Sequence, residues 1–221
     1  MIALLVMTDG RETIHDTLAS WRANVSGPVS EWWIHDDTGD PAHAAELRGR
    51  YPEFEVVETA GRSGFGGAIR NAWATLRAGS GAPFVFHLED DFTFNRPVDL
   101  GNLVEVLNTC PHLQQLAFRR QPWNDAERAA GGIIEQHPGD YCACLLRPGV
   151  EWLEHRRFFT TNPSLYRREL LARDWPEGAQ SEGRFGVELF ADPLKFAGYW
   201  GPRHSPPWVH HIGNVRHGIG Y

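Results

Sequence analysis

Apolar runs of strand length alternate with helical patterns through the first half of the chain, and this order limits the fold more than any other feature. The strand-like runs cover residues 2–7, 31–35, 54–58, 84–88 and 113–119. Between them, apolar residues recur every three or four positions, as on one face of an amphipathic helix. The alternation predicts an α/β fold with a mostly parallel central sheet flanked by helices.

Two pairs of residues predict helix starts. Asp40-Pro41 places a capping side chain before a proline at the first helical position, so a helix should run to Arg50. Asn162-Pro163 has the same form and predicts a helix through Ala172. A further helix is expected to begin near Ser181, and residues 202–221 are expected to form an ordered loop or tail.

Composition fits one folded domain, because the 221 residues are 42% hydrophobic and 22% charged. The net charge is −7, and residues 1–110 contain 16 acidic but only eight basic side chains. Wherever those carboxylates converge, they need a cation or basic groups from the other half. The totals do not indicate the strongly basic surface of a nucleic-acid-binding protein.

The three cysteines do not form the pattern of a disulfide framework. Cys142 and Cys144 lack the two-residue spacer of a zinc knuckle, so we expect buried structural thiols and a reducing, cytoplasmic location. No run approaches the ~20 apolar residues of a membrane span. The apolar residues 1–7 predict a first strand and not a signal peptide.

Polar residues follow each of the first four predicted strands. These groups are Thr8-Asp9-Gly10-Arg11, His35-Asp36-Asp37, the glycine-rich residues 61–67, and Glu89-Asp90-Asp91. Ligands of parallel sheets bind at the carboxyl ends of the strands. The sequence therefore predicts a ligand site where these four groups meet.

Glu89-Asp90-Asp91 is the strongest of the four groups. Three consecutive carboxylates after a buried strand repel one another unless something compensates their charge. A divalent cation does so best, and hard oxygen ligands suit Mg²⁺ or Mn²⁺. The alternative is an acidic turn that caps the next segment.

The glycine-rich segment is not a dinucleotide fingerprint. Gly64-Phe65-Gly66 begins G-x-G, but Ile69 stands at the third glycine position and the segment follows the third strand. It still lets backbone approach a ligand and opens a helix whose N–H groups suit phosphate. A simple tight turn is the alternative.

Taken together, these segments resemble the GT-A glycosyltransferases, especially the large inverting family that begins with a nucleotide-binding half. Thr8-x-x-Arg11 is similar to the family's first-strand loop, and residues 34–40 are similar to its DDGSxD segment. Residues 64–71 are similar to its G-x-x-x-A-x-N segment. Glu89-Asp90-Asp91 stands at its DxD motif, with Glu in place of the first Asp.

The resemblance implies a single GT-A domain over 1–221, with a nucleotide-sugar half at 1–110 and an acceptor half and tail at 111–221. It also implies Mn²⁺ or Mg²⁺ bound by Asp91, with His211 as a second ligand and His210 and His217 as rivals. The donor-binding residues that it implies are Thr8, Arg11, Asp36, Asp37, Arg62, Gly64, Asn71, Glu89 and Asp90.

An inverting transfer needs a base that deprotonates the acceptor hydroxyl. Glu182 is the candidate, because it lies near a predicted helix start where a carboxylate stays ionised. Glu188 and Asp174 are its rivals.

Three other functions stay open at this point. A metal-dependent phosphoesterase or nuclease also uses clustered Asp and His residues. A non-catalytic module could bind the nucleotide sugar alone. Nucleotidyl transfer onto a sugar phosphate is a third, although residues 8–11 form a short loop for it. The acceptor could be a saccharide, a small molecule, a protein or a modified nucleic-acid base.

Overall fold

The computed structural model describes residues 1–213. Its strands are β1 (Ile2–Thr8), β2 (Val25–Ser26), β3 (Val29–Asp36), β4 (Glu55–Glu58), β5 (Phe84–Glu89), β6 (Phe92–Phe94), β7 (Val98–Asp99), β8 (Leu113–Ala117), β9 (Cys142–Arg147), β10 (Val150–His155), β11 (Ser164–Arg167), β12 (Phe196–Trp200) and β13 (Val209–His211). Its α-helices are α1 (Ile14–Asn24), α2 (Pro41–Arg50), α3 (Gly64–Gly79), α4 (Leu100–Thr109), α5 (Asp125–Ala130), α6 (Ile133–Gln136) and α7 (Ser181–Leu189). Two 3₁₀ helices cover Pro138–Asp140 and Arg168–Ala172.

Nine strands form one sheet in the order β4-β3-β1-β5-β11-β8-β12-β10-β9. The pairs on the β4 side of β5 are parallel, whereas β11 runs antiparallel to both β5 and β8. Strand β12 is parallel to β8, and β10 is antiparallel to both of its neighbours. Seven strands therefore point one way, and only β11 and β10 are reversed. The predicted α/β architecture is confirmed.

Helices cover both faces of this sheet, as the burial of β1 requires. Alternate residues of a strand point to opposite faces, and every residue of β1 is buried. Ile2, Leu4 and Val6 join a core with α1, α2 and α4. The intervening residues of β1 join a second core with α3, α7 and the 3₁₀ helix after β11.

The helix predicted from Asn162-Pro163 is wrong. Residues Ser164–Arg167 form strand β11 instead, and only a short 3₁₀ helix follows. Ser164 and Tyr166 pair with His87 and Val85 of β5, so this segment lies in the centre of the sheet. The local cap signal is overridden because a central strand buries both of its faces.

The tail and the cysteines also depart from expectation. The predicted loop at 202–213 contains β13, which pairs with β6 and places His211 opposite Phe92. Cys142 and Cys144 lie on the edge strand β9, the first exposed and the second half-buried, so the prediction of buried thiols is wrong. Among the described residues, no helix is long and apolar enough to cross a membrane.

Candidate active site

A cavity of about 380 Å³ opens at the carboxyl ends of β1 and β5, beside the start of α3. Small-molecule pockets typically have volumes of about 300–1,000 Å³. Seven of the predicted ligand-binding residues line it: Thr8, Arg11, Asp37, Arg62, Gly64, Glu89 and Asp90. The other two predicted residues do not line the cavity: Asp36 is fully buried, and Asn71 is exposed on α3.

Asp37 caps the start of α3. Its carboxylate accepts hydrogen bonds from the backbone N–H of Ser63 at 3.0 Å and of Gly64 at 3.1 Å. The hydroxyl of Ser63 also donates to it. These N–H groups are therefore already used, and the prediction that this helix start offers them to phosphate is wrong for its first two groups.

Asp36 braces the loop after β3. It accepts a hydrogen bond from the backbone N–H of Thr38 at 3.0 Å, and its other oxygen lies 2.9 Å from Nδ1 of His43. Gly39 completes this loop with φ = +68°, and a Cβ there would lie 2.5 Å from Cα of Gly61. Only glycine allows the two loops at the mouth of the cavity to touch.

The acids after β5 are tied to the loop after β1. Thr8 donates its hydroxyl to Asp90 at 2.6 Å, and burial raises the pKa of Asp90. Arg11 reaches over the cluster: it lies 3.7 Å from Asp90, pairs with Asp91 and is 3.2 Å from Asp9. This arginine compensates part of the charge of the converging carboxylates; it belongs to the first half itself, whereas the sequence predicted a cation or basic groups from the other half.

The structure brings Asp91 and His211 together, as predicted, although they are 120 positions apart. Nε2 of His211 lies 3.1 Å from Oδ2 of Asp91. Burial, and then the charges of Arg11 and Arg120, lower the pKa of His211 to about 4, so the ring is neutral at physiological pH. Of the rivals, His210 is exposed and His217 lies outside the described residues.

These two side chains fit part of a divalent-metal site. Asp91 is buried, and its Oδ1 has no hydrogen-bond partner within residues 1–213. A carboxylate and a neutral imidazole suit Mn²⁺. Over the same residues, no three His, Cys, Asp or Glu side chains are placed to hold a metal ion together. The remaining ligands would have to be substrate oxygens or water, as is usual for Mg²⁺ beside phosphates.

The backbone and ring of His211 are both held in place. Gln121 accepts from the backbone N–H of His211 and donates to its carbonyl oxygen, each at 2.9 Å. The ring lies between Phe92 and Trp123, with centroid distances of 4.7 and 4.5 Å. Such support fixes the orientation of a metal ligand.

Glu182 interacts with Glu89, one of the residues that line the cavity. At the start of α7, its Oε1 accepts from the backbone N–H of Thr161 at 2.5 Å and from the hydroxyl of Thr161 at 3.1 Å. Burial raises the pKa of Glu182, and these hydrogen bonds partly oppose the increase. The rivals Glu188 and Asp174 are exposed.

Glu89 and Glu182 form a carboxylate pair around Thr161. Burial raises the pKa of Glu89 to about 7; a hydrogen bond with Thr161 opposes the shift, and the charges of Glu182 and Asp90 add to it. Perturbed carboxyl groups that face a cavity are typical of proton-transfer sites.

Sequence reasoning missed Gln115, which positions this pair. The side chain is fully buried on β8. Its amide donates to the carbonyl oxygen of Thr160 at 2.6 Å and to Ser164 at 2.9 Å, and its oxygen accepts from the N–H of Thr160 at 3.1 Å. Two adjacent glutamines in the short buried strand β8 were the only signal.

The chain matches no protein-family model and no curated protein sequence. Solved structures do resemble it. S. aureus TarS 1-349 in complex with UDP-GlcNAc matches with a TM-score of 0.63 and 16% identity, over 99% of this chain and 59% of that one. GalNAc-T7 with UDP, GalNAc and Mn²⁺ matches with a TM-score of 0.67 and 12% identity, over 97% and 44%.

A third similar structure is the CMP:2-keto-3-deoxy-manno-octonic acid synthetase complexed with CTP. Its TM-score is 0.51 at 16% identity, and the match covers 91% of each chain. All three identities are too low to transfer an activity, and the chain spans only about half the length of the two larger neighbours. The likeness shows the fold: this chain has a GT-A-like fold.

Proposed function

We propose that this protein is a metal-dependent glycosyltransferase that moves a sugar from a nucleotide-diphosphate donor to an acceptor hydroxyl, with inversion. One observation carries the proposal: Glu89, which lines a cavity formed by the loops after β1 and β3, interacts with Glu182, and both contact Thr161. The loops suit a nucleotide, and the carboxylate pair suits proton transfer. The named ligands of TarS and GalNAc-T7 support a nucleotide-sugar donor and a divalent metal.

The donor half of the site would act by positioning. Arg11 and Arg62 line the cavity and supply its positive charge for a diphosphate. Asp37 would act indirectly, by holding the start of α3 against the nucleotide. Direct contacts of Asp36 and Asn71 with the donor remain predictions.

Asp91 and His211 would hold Mn²⁺ or Mg²⁺. The bound ion would neutralise the charge that develops on the departing diphosphate. The chain itself contributes the buried carboxylate of Asp91 and a histidine that is neutral at physiological pH.

Glu182 would be the base. It would take the proton of the acceptor hydroxyl while that oxygen attacks the anomeric carbon and the nucleoside diphosphate leaves from the opposite face. A raised pKa makes a carboxylate a better proton acceptor. Because Glu182 interacts with Glu89, which lines the cavity, we favour a catalytic role over a non-catalytic binding module. We also propose a cytoplasmic location, because all three cysteines are free.

A nucleotide screen tests the proposal. UDP, GDP and CMP are titrated into the protein by calorimetry, once with Mn²⁺ and once with chelator. We expect one nucleoside diphosphate to bind at least tenfold more tightly with metal. If none of the three binds under either condition, the proposal fails.

Nucleotidyl transfer is the second candidate, because the CMP:2-keto-3-deoxy-manno-octonic acid synthetase matches over nearly its whole length. It would release pyrophosphate from CTP when a sugar acid is present. A glycosyltransferase would instead bind the nucleoside diphosphate as a product. Pyrophosphate release from CTP or another nucleoside triphosphate would favour this second function.

A further inference from the structure

One compartment of the cavity differs from the charged mouth. Its walls are Met7 of β1, Ala68 and Ile69 of α3, and His87 of β5. These residues belong to the face of the sheet that α3 covers, where the neighbouring side chains form an apolar core. We call this part of the cavity the His87 compartment.

His87 is unusual in this apolar setting. The side chain is 2% exposed, and its Nε2 has no hydrogen-bond partner among the described residues. Nε2 lies 4.0 Å from Oε1 of Glu89, too far for a hydrogen bond. A buried polar atom without a partner is destabilising, so a ligand that pairs with it would regain stability.

His35 provides a comparison on the same face of the sheet. It is also 2% exposed, and neither of its ring nitrogens has a hydrogen-bond partner within the described part of the chain. However, it borders a space of only about 10 Å³, which is too small for any ligand group. Only the His87 compartment belongs to a cavity that could admit a substrate.

We propose that the His87 compartment binds the N-acetyl group of the donor sugar, so that the donor is an N-acetylated amino sugar. This inference rests on the proposed function. His87 lies 4.0 Å from Glu89, and Glu89 interacts with Glu182, so the compartment adjoins the carboxylates that we propose for proton transfer.

The chemistry of an acetamido group matches the compartment. Its methyl group would pack against Met7, Ala68 and Ile69, where a sugar hydroxyl would lose its hydrogen bonds to water. Its amide needs one polar partner, and burial lowers the pKa of His87 to about 3, which leaves a neutral ring with one donor and one acceptor. The hydroxyl of a plain hexose could also pair with the imidazole, but it has no methyl group to pack against the apolar walls.

Two donors test the inference. Both carry the nucleobase selected by the nucleotide screen; one contains glucose and the other N-acetylglucosamine. Calorimetry with Mn²⁺ gives their affinities for the parent, His87→Leu, His87→Gln and the matched control His35→Leu. We expect the parent to prefer the N-acetyl donor by about tenfold, from one buried methyl and one hydrogen bond.

The variants separate the outcomes. His87→Leu should reduce the preference to about twofold or less while keeping the parent's affinity for the nucleoside diphosphate, and His35→Leu should keep the full preference. His87→Gln retains a hydrogen-bonding amide and should keep part of the preference for the N-acetyl donor. It serves as the test if His87→Leu does not fold. Thermal unfolding checks that each variant is folded.

Contrary results are equally distinct. Equal affinity of the parent for both donors would overturn the compartment's role and leave the glycosyltransferase proposal intact, provided that the diphosphate binds. An unchanged preference in His87→Leu would overturn the role of His87. If no nucleotide binds at all, both the inference and the proposed function fail.

Discussion

The acidic groups after β3 and after β5 look alike in the sequence but have different hydrogen-bonding environments in the structure. The carboxylates of Asp36 and Asp37 accept hydrogen bonds from backbone N–H groups, and the carboxylate of Asp36 also contacts His43. After β5, Glu89 has a pKa raised to about 7, and Asp91 keeps one buried oxygen without a partner in residues 1–213. Acids that the fold already satisfies hold loops, whereas acids left unsatisfied are available for ligands and protons.

The largest expected effect concerns Glu182, which interacts with Glu89 of the group after β5. Glu182→Gln should keep the donor affinity and reduce turnover by about 10²–10⁴-fold, because the base acts on the acceptor and not on the donor. Donor binding by calorimetry and turnover with any accepted substrate can be measured on one preparation. Glu188→Gln, at an exposed position of the same helix, is the matched control.

Two results would contradict that assignment. A Glu182→Gln variant that turns over within a few-fold of the parent would move the role of base elsewhere. A product that retains the anomeric configuration, detected by NMR, would remove the need for a base in a single displacement.

Asp91→Ala is expected to abolish the metal-dependent gain in nucleoside-diphosphate affinity, which we expect to be at least tenfold in the parent. The same change should also lower the thermal stability, because Asp91 is buried and its other oxygen is the partner of Arg11 and His211. Calorimetry with Mn²⁺ and with chelator gives the first quantity, and thermal unfolding gives the second. A variant that still gains affinity from Mn²⁺ would show that Asp91 is not a ligand.

Asp37→Ala should mainly reduce stability and leave the nucleotide affinity unchanged. The backbone N–H groups of Ser63 and Gly64 lose their cap, so the free energy of unfolding should fall by about 1–3 kcal/mol. Urea denaturation measures the change. If Asp37→Ala unfolds like the parent but loses nucleotide affinity, Asp37 is a direct ligand and the comparison drawn above is wrong.

The smallest effect concerns a buried histidine far from these acids. Burial is the main reason that the pKa of His155 falls to about 3, and its Nδ1 accepts from the N–H of Arg157 at 3.3 Å. Between the unfolded pKa of about 6.5 and the folded value, the unfolded chain binds more protons. Stability attributable to His155 is therefore complete above pH 6.5 and decreases by up to about 1.4 kcal/mol per pH unit below it.

His155→Gln should remove this slope while keeping an acceptor for the N–H of Arg157. Urea denaturation of both proteins between pH 5 and pH 8 gives the slopes. Equal slopes for parent and variant would mean that His155 is protonated in the folded protein.

Much of the donor side of the site could be predicted because its residues directly follow apolar strands. Thr8, Asp37 and Glu89 line the cavity because the ends of parallel strands meet at one edge of the sheet. The pairing of Asp91 with His211 was predicted only through the family resemblance, since no local pattern connects residues so far apart.

Other parts could not be predicted because they depend on contacts distant in the sequence. Asn162-Pro163 carries a genuine helix-start signal, yet the following residues enter the middle of the sheet between β5 and β8. That insertion places Thr160 against Gln115, and Thr161 against Glu182. Helix and strand propensities of single residues do not predict such contacts between distant parts of the chain.

The sequence by itself determined the α/β class, the strands of the first half and the edge of the sheet where polar groups gather. These features depend on the hydrophobic periodicity and on the succession of strands and helices along the chain, both of which are visible in the sequence. Only the tertiary structure decided which of those polar groups are satisfied. Asp36 and Asp91 are the same residue type after similar strands, but Asp36 has a partner for each oxygen, the N–H of Thr38 and the ring of His43. Within residues 1–213, by contrast, Asp91 contacts Arg11 and His211 through one oxygen only. Hydrogen-bond partners come from the whole fold, and so the division between structural and functional acids does as well.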